Sequence, residues 1–276
     1  MITKVAINGF GRIGRNVLRA IVESGRTDIE VVGINDLGPV ETNAHLLRYD
    51  SVHGKFPATV TVDGDTISID GGKPIKVTAI RDPKDLPWGE LGVDIAMECT
   101  GIFNSKDKAA AHLDAGAKRV LVSAPASGAD KTIVYGVNHD TLTSDDIVVS
   151  NASCTTNCLS PVAQVLNQAI GINRGFMTTI HSYTNDQPSL DQMHKDLYRA
   201  RAAAMSQIPT STGAAKAIGG PEAVAGDWID TTRPRVTPAA SAAPASPTPR
   251  LRGAPCMSPM PGRGRSDLRV RSQPPC

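Results

Sequence analysis

Within Ser150-Asn151-Ala152-Ser153-Cys154-Thr155-Thr156-Asn157-Cys158 a cysteine follows a short apolar run and stands at or near the start of a helical pattern. A helix N-terminus lowers the pKa of a thiol and holds the thiolate, the form that attacks electrophiles. The Ser, Thr and Asn residues around Cys154 suit an exposed, hydrogen-bonded thiol. An isolated cysteine is more often a small buried apolar residue. Cys99, which ends an apolar run, and Cys158, one turn into the helix, fit that description. Pro161 leaves the helix start open: proline favours the first helical turn, so the helix could begin at Ser160 and leave Cys154 on the approach loop.

A second constellation lies at the N-terminus. Gly9-Phe10-Gly11-Arg12-Ile13-Gly14 directly follows the apolar run Val5–Ile7 and opens an amphipathic stretch, Ile13–Ser24. In a dinucleotide site the first glycine permits the tight turn and the second admits backbone to the pyrophosphate. The third packs helix on strand, and the pyrophosphate rests on the positive helix end. The six-residue pattern alone is weak, but Asp36 stands 22 residues past Gly14, after the next apolar run, where a carboxylate can accept from both ribose hydroxyls. Its charge would repel a 2′-phosphate, which favours NAD over NADP; Arg12 and Arg81 are the cations that could offset it. Thr100-Gly101 and Ser123-Ala124-Pro125 follow later strands, at the edge where such cofactors lie.

These groups need a scaffold. Val5–Ile7, the stretch Ile13–Ser24 and Ile29–Ile34 form a βαβ unit. Further strands are expected at Thr59–Val62, Thr66–Ile69, Ile75–Thr78, Ile95–Glu98, Val120–Val122 and Ile147–Ser150, with a helix at Lys106–Ala115 stopped by Gly116. Repeated units of this kind make a doubly wound α/β domain with a parallel sheet. A helix from Asn151 to about Ala169, interrupted by Pro161, and a strand at Gly175–His181 come next. The polar segment Ser182–Pro209 then reads as a long functional loop.

A chain of 276 residues accommodates two ordinary domains. The net charge of +2 conceals an asymmetry: residues 220–276 carry 8 Arg, no Lys and 4 acidic residues, a balance of +4, and the remainder is −2. Neither nucleic acid nor a membrane surface is expected as a partner. No secretory signal or membrane-spanning run is read in the sequence, and five cysteines without a paired framework point to a reduced, cytoplasmic setting. No metal site is expected.

Five motifs then occur in order: Asn-Gly-Phe-Gly-Arg-Ile-Gly-Arg, Ala-Ser-Cys-Thr-Thr-Asn-Cys, His-Ser-Tyr-Thr-Asn-Asp-Gln, Arg-Ala-Arg-Ala-Ala-Ala and Pro-Thr-Ser-Thr-Gly-Ala-Ala-Lys-Ala. Together they resemble glyceraldehyde-3-phosphate dehydrogenase of the phosphorylating, bacterial type, over about residues 1–219. The resemblance implies a Rossmann NAD-binding domain at 1–153, a truncated α+β catalytic domain at 154–219, and a homotetramer. It implies a helix led by Cys154 with Pro161 inside it. It also implies Cys154 as nucleophile and His181 as its base, in an NAD-dependent oxidative phosphorylation of glyceraldehyde 3-phosphate to 1,3-bisphosphoglycerate. NAD contacts would come from Gly9, Gly11, Arg12, Ile13, Gly14, Asp36, Arg81, Ser123 and Asn185, the last on the nicotinamide carboxamide. Thr184 and Asp186 match the substrate-phosphate region; Ser153, Thr155, Arg199, Thr212 and Gly213 match the inorganic-phosphate region. Arg201 reads as a solvated charge. Pro188–Lys195 lies in the family's interface loop, with Met193 where a proline is common.

The motifs stop near Gly219. Of the 57 residues from Gly220 onward, 37 are Pro, Ala, Arg, Gly or Ser, without helix or strand periodicity, so the composition predicts disorder. This tail reads either as a G/C-rich gene translated out of frame or as a Pro-rich interaction segment. No residue in it aligns with the family's later substrate-phosphate Arg or nicotinamide Asn. Little turnover is therefore expected of the chain as written, since a catalytic sheet without its later strands exposes an edge and apolar faces. The alternatives are a non-catalytic NAD-binding or subunit-binding fragment, an unstable product, and an erythrose-4-phosphate dehydrogenase with the same machinery.

Overall fold

The computed structural model describes residues 2–219 and 227–230. The chain opens with β1 (Thr3–Asn8), α1 (Arg12–Glu23) and β2 (Ile29–Asn35). It continues through α2 (Val40–Arg48), a small hairpin of β3 (Tyr49–Asp50) and β4 (Gly54–Lys55), then β5 (Val60–Asp63), β6 (Thr66–Ile69) and β7 (Ile75–Thr78). A single helical turn, α3 (Trp88–Leu91), precedes β8 (Ile95–Glu98). Next come α4 (Lys106–Ala109), α5 (Ala111–Asp114), β9 (Arg119–Val122), β10 (Lys131–Thr132) and β11 (Val148–Ser150). The last described elements are α6 (Cys154–Ile170), β12 (Arg174–Met177), α7 (Ala214–Gly219) and β13 (Asp227–Asp230).

Nine strands form one sheet in the order β10-β11-β9-β8-β1-β2-β7-β6-β5. All its pairings are parallel except β7-β6 and β6-β5. The chain winds outward from β1 through β2 on one side and resumes through β8 on the other. A crevice therefore opens at the carboxyl ends of β1, β2 and β8, the switch point where ligands bind in such sheets. Ile7, Phe10, Leu18, Ile34 and Leu47 pack one face, and Ala6, Trp88, Val93 and Ala96 pack the other. This is the α/β doubly wound fold expected from the sequence.

Four details differ from the sequence expectation. Helix α2, not foreseen, buries only Asn43, Ala44 and Leu47, too few apolar positions to register as a period. The helix expected over Lys106–Ala115 is two adjoining turns, α4 and α5, meeting at Ala110. Strand β12 ends at Met177, short of His181, because its parallel partner β13 offers only four residues, Arg174 to Met177 facing Asp227 to Asp230. β13 itself falls in the segment where the sequence showed no strand periodicity. Residues 220–226 and 231–276, where the expectation of disorder falls, lie outside the described residues.

Candidate active site

Cys154 is the first residue of α6, so the helix does not wait for Pro161, which sits inside it. Ser153 caps the helix: its Oγ accepts the Thr156 N–H at 3.0 Å and lies 2.7 Å from the Thr156 hydroxyl. The sharp entry from β11 puts Ala152 at φ 57°, a left-handed conformation that a non-glycine residue adopts under strain. The Ser150 hydroxyl accepts the Ala152 N–H at 3.2 Å and holds this bend.

The Cys154 Sγ lies 3.1 Å from His181 Nε2. His181 Nδ1 lies 2.6 Å from the Ser182 carbonyl oxygen, so Nδ1 is the donor there and Nε2 is the atom that serves the sulfur. Burial on its own would raise the Cys154 pKa. The hydrogen bond and charge of His181, with the Thr155 amide and hydroxyl, outweigh it and bring the thiol below its ordinary value. The Ser182 carbonyl, then Cys154, raise the His181 pKa against a smaller opposing effect of burial. Both directions favour a thiolate–imidazolium pair. Burial pushes Cys99 up to about 11, despite a hydrogen bond from Ser123. Cys158 corrects an expectation: it is exposed, not buried. It lies one turn beyond Cys154, on a helix that also exposes Val162, Val165 and Leu166.

The glycine turn has the expected division of labour. Gly9 adopts φ +89°, and a Cβ there would fall 2.7 Å from the Thr100 nitrogen. A Cβ on Gly14 would fall 2.2 Å from the Gly9 carbonyl oxygen and 2.9 Å from Ile7 Cγ2, which is the helix-on-strand contact. A Cβ on Gly11 would meet nothing within 4 Å, so the α1 N-terminus is open to a ligand. That pattern fits a dinucleotide. Asp36 closes the turn from below, accepting the N–H groups of Phe10 and Gly38 at 2.8 Å each. Arg12 is tied to Asp50 at 2.9 Å, so it does not stand free to receive a 2′-phosphate. Ile13 and Arg81 are exposed beside this edge, and Ser123 follows β9.

The phosphate candidates divide. Arg199 is half-buried and reaches Thr210 Oγ1 at 2.6 Å, the Ser211 carbonyl at 3.2 Å and Asp186 at 2.6 Å. Asp186 also takes His194 Nε2 at 3.2 Å, so its carboxylate orients Arg199 and His194 instead of facing an anion. Thr184 pairs with Gln187, and Asn185 lines a surface recess with Asp186, Pro188 and His194. Thr212 accepts the Ala214 N–H at 3.2 Å, and with Gly213 it leads into α7. α7 packs Ala214 and Ala215 on Met177 and Leu159. Thr155 lies beside the sulfur, while the Ser153 oxygen is engaged as the cap. Arg201 is exposed and pairs with Asp191, as a solvated charge does. Among the described residues no cluster of metal-ligating side chains occurs, and no helix is long and apolar enough to cross a membrane.

The sequence reading passed over a buried polar row under the crevice, comprising Asn8, Asn35, Glu98 and His112. Its signal was available: Asn8, Asn35, Thr78 and Glu98 each end a strand directly after an apolar residue, Ile7, Ile34, Val77 and Met97.

The profile for the NAD-binding domain of glyceraldehyde 3-phosphate dehydrogenase matches residues 3–106, and that for the C-terminal domain of the same enzyme matches residues 153–236. The chain belongs to the glyceraldehyde-3-phosphate dehydrogenase family over these segments. The second match runs past Gly219 and takes in β13. The chain is 78% identical over 219 residues to the glyceraldehyde-3-phosphate dehydrogenase of Xanthobacter flavus and 79% identical over 219 residues to that of Cereibacter sphaeroides. Each alignment covers 79% of this chain and 65% of the relative. The enzyme of Geobacillus stearothermophilus is 60% identical over 219 residues, with 64% of its length covered. The chain thus spans just under two thirds of the relatives it matches.

Proposed function

We propose that this chain carries the machinery for NAD-dependent oxidation of glyceraldehyde 3-phosphate to an acyl phosphate, with Cys154 as nucleophile and His181 as acid–base. The observation that carries the reading is the 3.1 Å approach of His181 Nε2 to a thiol heading a capped 17-residue helix. The thiolate forms a C–S bond to the aldehyde carbon, and the carbonyl oxygen takes the His181 proton. His181 then recovers that proton from the hydroxyl as hydride leaves the carbon, and a thioester remains on Cys154. NAD, when bound, supplies the hydride acceptor. An oxygen of inorganic phosphate attacks the thioester, the C–S bond breaks, and 1,3-bisphosphoglycerate departs with the thiolate restored. Gly9, Gly11, Arg12, Ile13, Gly14, Asp36, Arg81, Ser123 and Asn185 hold NAD. Arg199, Thr155, Thr212 and Gly213 supply a guanidinium, hydroxyls and N–H groups for phosphate, with Ser153 and Thr184 beside them; Asp186 sets the Arg199 guanidinium.

The division into an NAD-binding domain at 1–153 and a catalytic segment at 154–219 belongs to this proposal. So does a homotetramer, supported by the exposed Leu190, Met193 and Leu197 on the long loop. The exposed thiols of Cys154 and Cys158 support a reducing compartment, the cytoplasm. The test is formation of reduced nicotinamide from NAD, glyceraldehyde 3-phosphate and phosphate, with phosphate omitted as a control. NAD binding without turnover would favour the non-catalytic reading, to which the exposed apolar face of α6 lends support. A faster reaction with erythrose 4-phosphate would reassign the substrate.

A further inference from the structure

Four adjacent strands end on polar residues in one row: Thr78 beside Asn35, Asn35 beside Asn8, Asn8 beside Glu98. The direction of every hydrogen bond in the row is set from its two ends. At one end the backbone N–H of Ile80, which can only donate, binds Asn35 Oδ1 at 2.9 Å. The Ile80 carbonyl takes Asn35 Nδ2 at 2.8 Å, and together these fix the amide. Asn35 Nδ2 donates to Asn8 Oδ1 at 2.8 Å, and Asn8 Nδ2 therefore donates onward to Glu98 Oε2 at 2.7 Å. At the other end the Trp88 indole N–H, also donor only, reaches His112 Nδ1 at 3.0 Å. With Nδ1 accepting, His112 carries its proton on Nε2, 2.9 Å from the same Glu98 oxygen. The other carboxylate oxygen takes the Thr100 N–H at 2.7 Å and the Thr100 hydroxyl. Every link points at Glu98, whose side chain is fully buried.

The structure thus converges donors on the Glu98 carboxylate, an arrangement that favours its anion. Burial alone would raise its pKa, but the bonds from His112, Thr100 and Asn8 outweigh it and lower the value. The residue so fixed, Thr100, is the one whose nitrogen and Cγ2 would lie 2.7 and 2.8 Å from a Cβ on Gly9. We propose that Glu98 is a positioning residue for the dinucleotide site: it pins Thr100 as the wall against which the Gly9 turn is folded. The proposal rests on the NAD-binding reading above and adds a residue whose side chain is fully buried.

The test uses the full chain and the substitution Glu98→Gln, which keeps the shape. Its amide hydrogens must face either Thr100, whose backbone N–H can only donate, or the donating Asn8 and His112 pair. The Thr100 amide cannot reverse, and His112 cannot move its proton without losing Trp88. NAD affinity by titration calorimetry is expected to fall about tenfold. Val120→Ala, a cavity in a separate core, should lower thermal stability while leaving that affinity unchanged. Nitrogen-15 spectra should place the His112 proton on Nε2, and the Gly9 and Thr100 amide resonances should move in Glu98→Gln. If Glu98→Gln fails to fold, Trp88→Phe, which frees the His112 proton, should move the same resonances and weaken NAD by a smaller factor. Unchanged affinity in a folded Glu98→Gln, an equal loss in Val120→Ala, or a His112 proton on Nδ1 would overturn the proposal. An unmodified chain that binds no NAD would reject the cofactor reading instead. The His112 proton and the Gly9 resonances would then decide the role of Glu98 by themselves.

Discussion

Residues 2–150 and residues 154–219 hold their functional groups in different ways. In the first region the glycine turn is fixed redundantly: cores on both faces of the sheet, the polar row ending in Glu98, and Asp36 on two backbone amides all set the same loop. In the second, the Cys154–His181 pair rests on one helix cap, one strained bend and one backbone carbonyl. In the same region Phe176 is 75% exposed, Ile170 79% and Ile180 91%. A ligand cradle made of backbone is thus tied to the cores on both sides of it, whereas the thiol–imidazole pair is tied to a few local groups. Damage to the first region should appear as lost fold and cofactor affinity together, and damage to the second as lost chemistry alone.

The largest expected effect is chemical. In a version of the chain with an intact catalytic domain in place of residues 220–276, Cys154→Ser should lower aldehyde-dependent reduction of NAD by at least on the order of 10³-fold, with NAD binding largely unchanged. Substantial residual turnover would remove Cys154 from the role of nucleophile. Gly9→Ala should do the opposite, because a Cβ at φ +89° meets the Thr100 backbone. A stability loss of roughly 2 kcal/mol is expected, along with weakened NAD binding. A variant that melts and binds like the parent would mean that the cradle is not over-determined.

Smaller effects sharpen the contrast. Asp36→Ala should bring NADP affinity to within about tenfold of that for NAD, since the repelling carboxylate is gone. Equal binding of both cofactors to the unmodified chain would reject this role. His181→Asn should slow alkylation of Cys154 near neutral pH, because less of the thiol is then ionised. The sign follows from the pair: His181 lowers the thiol pKa, so its removal moves the labelling midpoint upward, and the two rate profiles converge in alkali, where both thiols are ionised. Mass spectrometry of the labelled peptides separates Cys154 from the exposed Cys158. Identical profiles would show that the helix terminus alone activates the thiol.

Motifs whose meaning is local were legible in the sequence. Gly9, Gly11 and Gly14, the apolar runs of the parallel sheet, and the polar setting of Cys154 express constraints that act within a few residues, and each is found where expected. The burial of Cys158 was misjudged because nothing within its own turn states which face of α6 is covered. The end of β12 was misplaced because strand length is set by the partner, and β13 supplies only four residues. The ionised state of Glu98 could not be read along the chain, because its donors come from β1, α5 and the turn after β8. The glycine turn and the apolar runs of the parallel sheet are short-range signals, and the sequence by itself determined them. Burial, strand pairing and the direction of a hydrogen-bond chain depend on residues tens of positions apart, and only the tertiary structure decided those.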